Sequence, residues 1–129
     1  MRSIFAGDTP DFIISVKDKD GNVLDVEKED TIVKNVGIVV YARFDPDKKV
    51  GRFALDNSDG NPGGYEDYDP IQTQDGSIKL ILPADGTEKC VNEELIAQVT
   101  TILDVDGYDP PGQVLTGGNV ICKVVPKQE

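Results

Sequence analysis

Histidine and tryptophan are absent from this chain of 129 residues, and cysteine occurs only twice. With no histidine and two cysteines, the sequence cannot supply the ligands of an ordinary structural zinc site. The missing histidine also removes the usual base of a Ser-His or Cys-His pair, and none of the four serines lies in a GxSxG motif. The sequence therefore predicts no catalytic residue and no cofactor, and we expect a protein that is not an enzyme.

Long apolar runs and basic clusters are also missing. No run approaches the roughly 18 residues of a membrane span, and the opening MRSIFAGDTP lacks the apolar segment of a signal peptide. Acidic residues outnumber basic ones by 24 to 13, which gives a net charge of -11. Nucleic acid and anionic lipid both require clustered Lys and Arg. We therefore expect no nucleic-acid partner, no membrane, and synthesis in the cytosol.

The two cysteines, Cys90 and Cys122, do not form a CxxC motif. A disulfide between them is geometrically possible, but nothing in the sequence marks an oxidising compartment, so both thiols are expected to be reduced. Cys122 lies in an alternating apolar run and is predicted to fill a small space in the core. Cys90 follows Lys89 in a turn-rich connector, where the lysine would lower the pKa of the thiol, and it is expected to be the more readily modified.

Alternation of apolar and polar residues is the main pattern in the chain. The runs ELIAQVTTILDV (94–105) and NVICKVV (119–125) show it most clearly, and their β-branched residues favour strands. DPDKK (45–49) is predicted to be a turn, and residues 1–10 an irregular lead-in to a single domain over 11–126. Further strands are predicted at five places: 11–16, 23–26, 31–44, 50–55 and 77–82.

About seven to eight short strands at this spacing predict an all-β protein, an immunoglobulin-like β-sandwich. Residues 92–103 are open to two interpretations. They alternate as a strand does, and their Val-Thr-Thr-Ile run favours a strand. However, Asn92 is a reasonable helix N-cap, and Leu95, Val99 and Ile102 share one helical face. If the chain contains a helix, we expect it in this segment.

Acidic turns are the feature most suited to a cation. Residues 16–27 resemble an EF-hand loop, but Val16 replaces the first ligand and the flanks alternate as strands do, so a β-hairpin is predicted. The positions that match the loop are Asp18, Asp20, Gly21 and Glu27. Two other acidic groups are Asp56, Asp59, Asp67 and Asp69, and Asp104, Asp106 and Asp109. We expect these side chains to form turns, and no metal site is predicted.

Several short motifs occur in a recognisable order: GDTPDF, then DKDGNVLDV, DGSIKLILP, ELIAQVTTILDVDG, PP and NVICKV. This order resembles the immunoglobulin-like N-terminal domain of phage baseplate upper proteins, over most of the chain. The acidic loop at 56–70 departs from that family, as does the lack of coiled-coil and receptor-binding parts. The resemblance implies a non-catalytic virion component that acts through protein–protein contacts, with no catalytic residue to carry over.

The predicted function is therefore a structural subunit of a bacteriophage virion, in the tail, baseplate or head surface, assembled in the bacterial cytoplasm. Its expected partners are other virion proteins or copies of itself. The alternatives are a cell-surface or periplasmic immunoglobulin-like adhesion module, with or without calcium, and a small carbohydrate-binding module. Residues 1–16 are predicted to contribute to a subunit contact, with the competing interpretation that Phe12 or Ile13 fills the core.

Overall fold

The computed structural model describes residues 2–18, 20–57, 65–103 and 113–127, with residues 113–116 described by their backbone. These residues form eleven strands and one short helix. In chain order they are β1 (Ser3–Phe5), β2 (Asp11–Ile14), β3 (Val16–Lys17), β4 (Val23–Leu24), β5 (Val33–Ala42), β6 (Asp45–Ala54), β7 (Asp69–Pro70), β8 (Gln72–Gln74), β9 (Ser77–Ile81), α1 (Ala84–Glu88), β10 (Glu94–Leu103) and β11 (Gln113–Val125). The all-β prediction is confirmed. The strands outnumber the predicted seven to eight because β1, β7 and β8 are too short to show alternation.

Four long strands form the centre of a six-stranded sheet, in the order β1-β11-β10-β5-β6-β7. β11, β10, β5 and β6 are antiparallel neighbours, so the two clearest alternating runs of the sequence pair with each other. Short strands pair in parallel at both edges. β1 pairs with residues 123–125 of β11, and β7 pairs with residues 53–54 of β6.

A second, smaller sheet contains β2, β9 and β8, and β3 pairs with β4 in a separate hairpin. The β3–β4 turn contains Gly21 at φ 84, which confirms the reverse turn predicted from Asp20-Gly21. The β8–β9 hairpin also turns on an Asp-Gly pair, Asp75 and Gly76, both at positive φ. The backbone N–H of Val26 donates to the Gly76 carbonyl, which joins the two hairpins.

One hydrophobic core lies between the inner faces of the two sheets. On β5, Val36, Ile38, Val40 and Ala42 are fully buried, because alternate residues of a strand share a face. β9 contributes Ile78 and Leu80 from the smaller sheet to the same cluster. A core shared by two sheets makes the arrangement sandwich-like.

The prediction of an irregular lead-in over residues 1–10 is wrong at β1. The side chain of Ile4 is only 6% exposed and belongs to the core. The N–H of Lys123 donates to the Arg2 carbonyl, and the N–H of Ala6 donates to the Val125 carbonyl. The partner of β1 lies at the far end of the chain, so no local pattern could indicate this strand.

The segment with two interpretations is a strand. β10 spans Glu94–Leu103, and Asn92 has a left-handed φ of 69 rather than the extended geometry of an N-cap. The helix lies earlier, at α1, within residues predicted to be a connector. Gly86 allows α1 to approach β6 closely, since a Cβ there would come within 2.5 Å of the Val50 carbonyl oxygen.

The predicted DPDKK turn is also wrong. β6 begins at Asp45, and the chain reverses at Arg43 and Phe44. Tyr41 pairs with Lys49 and Ala42 with Asp45, across two register irregularities. Charged residues and a proline are tolerated in this strand because its far side is a sheet edge in the described part of the chain.

Candidate interaction surfaces

Asp18 shows how an acidic turn is used here. Its Oδ1 accepts hydrogen bonds from the backbone N–H groups of Asn22 and Asp20, each at 2.9 Å, and these bonds lower the pKa of the carboxyl. The carboxylate is thus the acceptor of a local turn inside the β3–β4 hairpin. No group of three or more Cys, Asp or Glu side chains that could hold a metal ion occurs in the described residues.

The other acids named from the sequence do not form one site in what the structure describes. The backbone of Asp56 is bound to β5 by the side chain of Asn35, at 3.0 Å for each of two hydrogen bonds. Asp67 lies in a turn, and Asp69 begins β7. Four acids lie outside the described residues: Asp59, Asp104, Asp106 and Asp109.

Both cysteines are free thiols with no exposed surface, so the prediction that they are reduced is confirmed. Burial raises the pKa of Cys122 to about 11, and its predicted place in the core is confirmed. The predicted lowering of the Cys90 pKa is wrong. Burial raises it, and this outweighs the opposing effects of Lys48 and Lys89. Neither thiol has the exposed, electropositive surroundings of a reactive cysteine.

The first predicted strand divides its apolar residues between core and surface. Phe12 and Ile14 are half-buried and pack on the core, which confirms the core interpretation for Phe12. Ile13 lies on the other face of β2 and is 54% exposed. The register pairs Asp11 with Ile81 and Ile13 with Lys79, which places Ile13 and Ile81 diagonally on the outer face. Ile81 is 38% exposed, so the two form a small apolar patch, Ile13–Ile81.

β2 is also an edge of its sheet in the described residues. The N–H of Leu82 donates to the Pro10 carbonyl, so by alternation Phe12 and Ile14 bond to β9. The backbone groups of Asp11 and Ile13 therefore point away from β9. Arg2 donates to the outward carbonyl of Asp11 and stacks its guanidinium over the Phe12 ring. The backbone polar groups of Ile13 are thus beside the patch and directed to the edge.

The outer face of the large sheet carries an aromatic cluster. Tyr65 and Tyr68 have ring centroids 4.8 Å apart, and the guanidinium of Arg52 lies 5.1 Å from the centroid of Tyr68. The hydroxyl of Tyr65 hydrogen-bonds with Thr100 on β10, and burial raises its pKa. This cluster attaches the segment before β7 to the sheet.

A shallow cavity of about 340 Å³ lies beside β4 and the entry to β5. Its apolar lining is the half-buried Leu24 with the exposed Val23 and Ile32. Asp25, Lys28 and Asp30 line the rest. Asp25 already accepts a hydrogen bond from the N–H of Glu27, so its carboxylate has a structural role.

The described helix, α1, is five residues long, and no helix in the described ranges could reach across a bilayer. The apolar run Phe12, Ile13 and Ile14 is evident in the sequence, but Ile81 as the neighbour of Ile13 is not. That relation depends on the pairing register of two strands far apart in sequence.

Comparison with known proteins found no family model, curated protein or solved structure that matches this chain.

Proposed function

We propose that this protein is a non-catalytic structural subunit of a bacteriophage virion, built as an immunoglobulin-like sandwich, that acts through protein–protein contacts. The observation that supports this role most is the Ile13–Ile81 patch at the edge of β2. It combines exposed apolar side chains with backbone groups directed outward, the combination that strand addition or packing by a neighbour requires.

The chemistry of the chain supports the same role. The described residues form no cluster of metal ligands, the two thiols are buried, and the sequence has no histidine. The cavity beside β4 is shallow, and the Asp25 carboxylate that lines it accepts a hydrogen bond within its own turn. Neither this cavity nor the smaller one beside Phe53 and Ile71 is the enclosed pocket with convergent polar groups that a small substrate would require.

The test uses particles of the phage whose genome encodes the chain, purified and probed with an antibody against it. We expect the protein in the particles, and we expect Ile13→Lys to reduce its incorporation about tenfold relative to soluble, folded protein. Val23→Lys is the matched control, because Val23 is also exposed and apolar but lies on β4. Absence of the wild-type protein from particles would refute the virion role. Its recovery at a bacterial surface would favour the adhesion module.

A further inference from the structure

The two edges of the large sheet differ sharply in composition. In the ranges that the structure describes, β7 pairs with the end of β6, and the unpaired residues 45–52 of that edge contain two aspartates, two lysines, an arginine and a proline. Such residues protect an edge from another strand. Among the described residues, β1 is the strand that pairs with the outer edge of β11, at residues 123–125, and the remaining stretch 113–122 contains no charged residue and no proline. In a chain with 29% charged residues, this edge lacks the usual protection.

The middle of this edge is accessible, and its residues have small side chains or none. Gly117, Gly118 and Asn119 are exposed. A Cβ on Gly117 would meet nothing within 4 Å, and one on Gly118 would meet only Ile96 and Ala97 of the neighbouring β10. Neither glycine has the positive φ that would require glycine for a turn. Glycine inside a strand often marks a bulge, a bend, or the close approach of a ligand or another backbone.

The hydrogen-bond alternation shows which groups are open. The N–H of Arg43 donates to the Glu94 carbonyl, and the N–H of Val124 donates to the Glu93 carbonyl. Even-numbered residues of β10 therefore bond to β5 and odd-numbered ones to β11. Ala97 pairs with Asn119 and Val99 with Gly117, so residues 117 and 119 bond inward. The N–H and carbonyl of Gly118 point outward, as do those of residues 116 and 120.

We propose that β11 is a homodimer interface, in which the β11 edges of two copies pair antiparallel about a two-fold axis at Gly118. Two antiparallel edges form hydrogen bonds only between residues whose backbone N–H and carbonyl groups both point outward. Residue 116 of one copy therefore faces residue 120 of the partner, and the two copies of Gly118 face each other. This register sets Gly117 opposite Asn119 of the partner, with no like charges opposed. Each copy uses the same segment, as a two-fold interface requires.

Other features of the edge limit the pairing to this stretch. Ile121 is the extra residue of a bulge, since Leu95 pairs with Cys122 and Ile96 with Val120. Beyond it, β1 occupies the edge from Lys123 onward. The free, regular part of β11 therefore ends at Val120, and a second copy centred on Gly118 fits within it.

The experiment measures mass by sedimentation of the isolated protein, from micromolar to millimolar concentration. Wild type is expected to be a monomer–dimer equilibrium. Gly117→Lys with Asn119→Lys opposes like charges across the non-hydrogen-bonded pair and should weaken the dimer about tenfold. Gly117→Glu with Asn119→Lys is the matched control. It alters the same two exposed positions but opposes Glu to Lys, so the dimer should persist.

A second pair of variants tests the backbone bonds. Gly118→Pro removes the outward N–H while the inward bonds of residues 117 and 119 remain, so the dimer should be lost with the fold retained. Gly118→Ala keeps the N–H and should keep the dimer. If circular dichroism shows that Gly118→Pro is unfolded, the dimer is tested by the two charge variants at positions 117 and 119.

A wild-type protein that stays monomeric to millimolar concentration overturns the proposal. So does a dimer unaffected by the two lysines, or an assembly that grows beyond two copies. The readout needs no phage particle, and the dimer does not depend on the virion role. Failure here and absence from particles are therefore separate results.

Discussion

Tyr65 lies directly against Gly37, so closely that a Cβ on Gly37 would come within 2.5 Å of the Tyr65 ring carbon Cζ. Gly37 pairs with Thr100 on β10, and Thr100 also hydrogen-bonds with the Tyr65 hydroxyl. Because Gly37 has no side chain, the Tyr65 ring can pack directly on the backbone of β5. Together with the Arg52–Tyr68 contact, this packing attaches the segment preceding β7 to the outer face of the large sheet.

Gly37→Ala should displace the Tyr65 ring from its position against β5. We expect the free energy of unfolding to fall by about 1–3 kcal/mol, because the ring is over-packed and its hydrogen bond to Thr100 is strained. Denaturant unfolding measures the loss. Gly117→Ala is the control, since its Cβ enters open space, and it should change stability by less than about 0.5 kcal/mol. Equal effects of the two substitutions would contradict the contact.

Asn35→Ala should lower the free energy of unfolding by more than the loss of so few side-chain atoms suggests. Asn35 is fully buried, its Nδ2 donates to the Asp56 carbonyl, and its Oδ1 accepts from the N–H groups of Asp56 and Val36. The alanine variant removes these three hydrogen bonds to buried or half-buried backbone groups, at a cost of about 1–3 kcal/mol. Hydrogen exchange should show faster exchange of the Asp56 amide. Asn119→Ala, at an exposed position, should leave both readouts unchanged.

Ile4→Ala tests whether β1 is part of the folded domain. Ile4 is a core residue, and a large-to-small change there typically costs about 2–5 kcal/mol. Phe5→Ala is the control on the same strand, because Phe5 is largely exposed and should cost well under half as much. Thermal unfolding of the two variants gives the comparison. Similar midpoints for Ile4→Ala and wild type would mean that residues 3–5 do not pack in solution.

The buried thiols predict a loss of stability at alkaline pH. Folding raises the pKa of Cys122 from its ordinary 9.0 to about 11, so the folded state holds this proton where the unfolded chain releases it. The stability is fully present below pH 9.0 and is lost as pH rises toward about 11. The loss is on the order of 1.4 kcal/mol per pH unit. Urea unfolding across this range measures it.

Cys122→Ala supplies the control for the alkaline loss. This variant is less stable at every pH, but its stability should fall less steeply, since one of the raised groups is gone. Cys90 and Tyr65 also have raised pKa values and leave a residual slope of the same sign. An unchanged slope in Cys122→Ala would show that other groups cause the loss.

Dimerisation through β11 should strengthen as salt is added. Each copy carries a net charge of -11, so two copies repel, while the paired edge itself carries no charge. Salt screens repulsion between the distant charges and leaves the backbone hydrogen bonds largely unaffected. The dissociation constant, measured by sedimentation at rising sodium chloride, should fall. An increase with salt would mean that ion pairs hold the dimer, contrary to the proposed register.

Much of the fold followed from local patterns. Alternation located β5, β9 and β10, because a strand with one buried face must repeat every two residues. Asp20-Gly21 marked a hairpin turn, because glycine readily takes the positive φ that this turn contains. Cys122 was assigned to the core for the same reason as its neighbours on an alternating strand. These features depend only on residues close together in the chain.

The sequence by itself determined an all-β, acidic protein with a single alternating core pattern and no histidine. Only the tertiary structure decided that residues 3–5 form a strand, because their partner lies near the C-terminus. It also decided that Ile13 faces outward beside Ile81 while Phe12 packs inward, a consequence of register between distant strands. The unpaired edge of β11 could not be predicted from the sequence either, since the sequence of a strand does not show which strands pair with it.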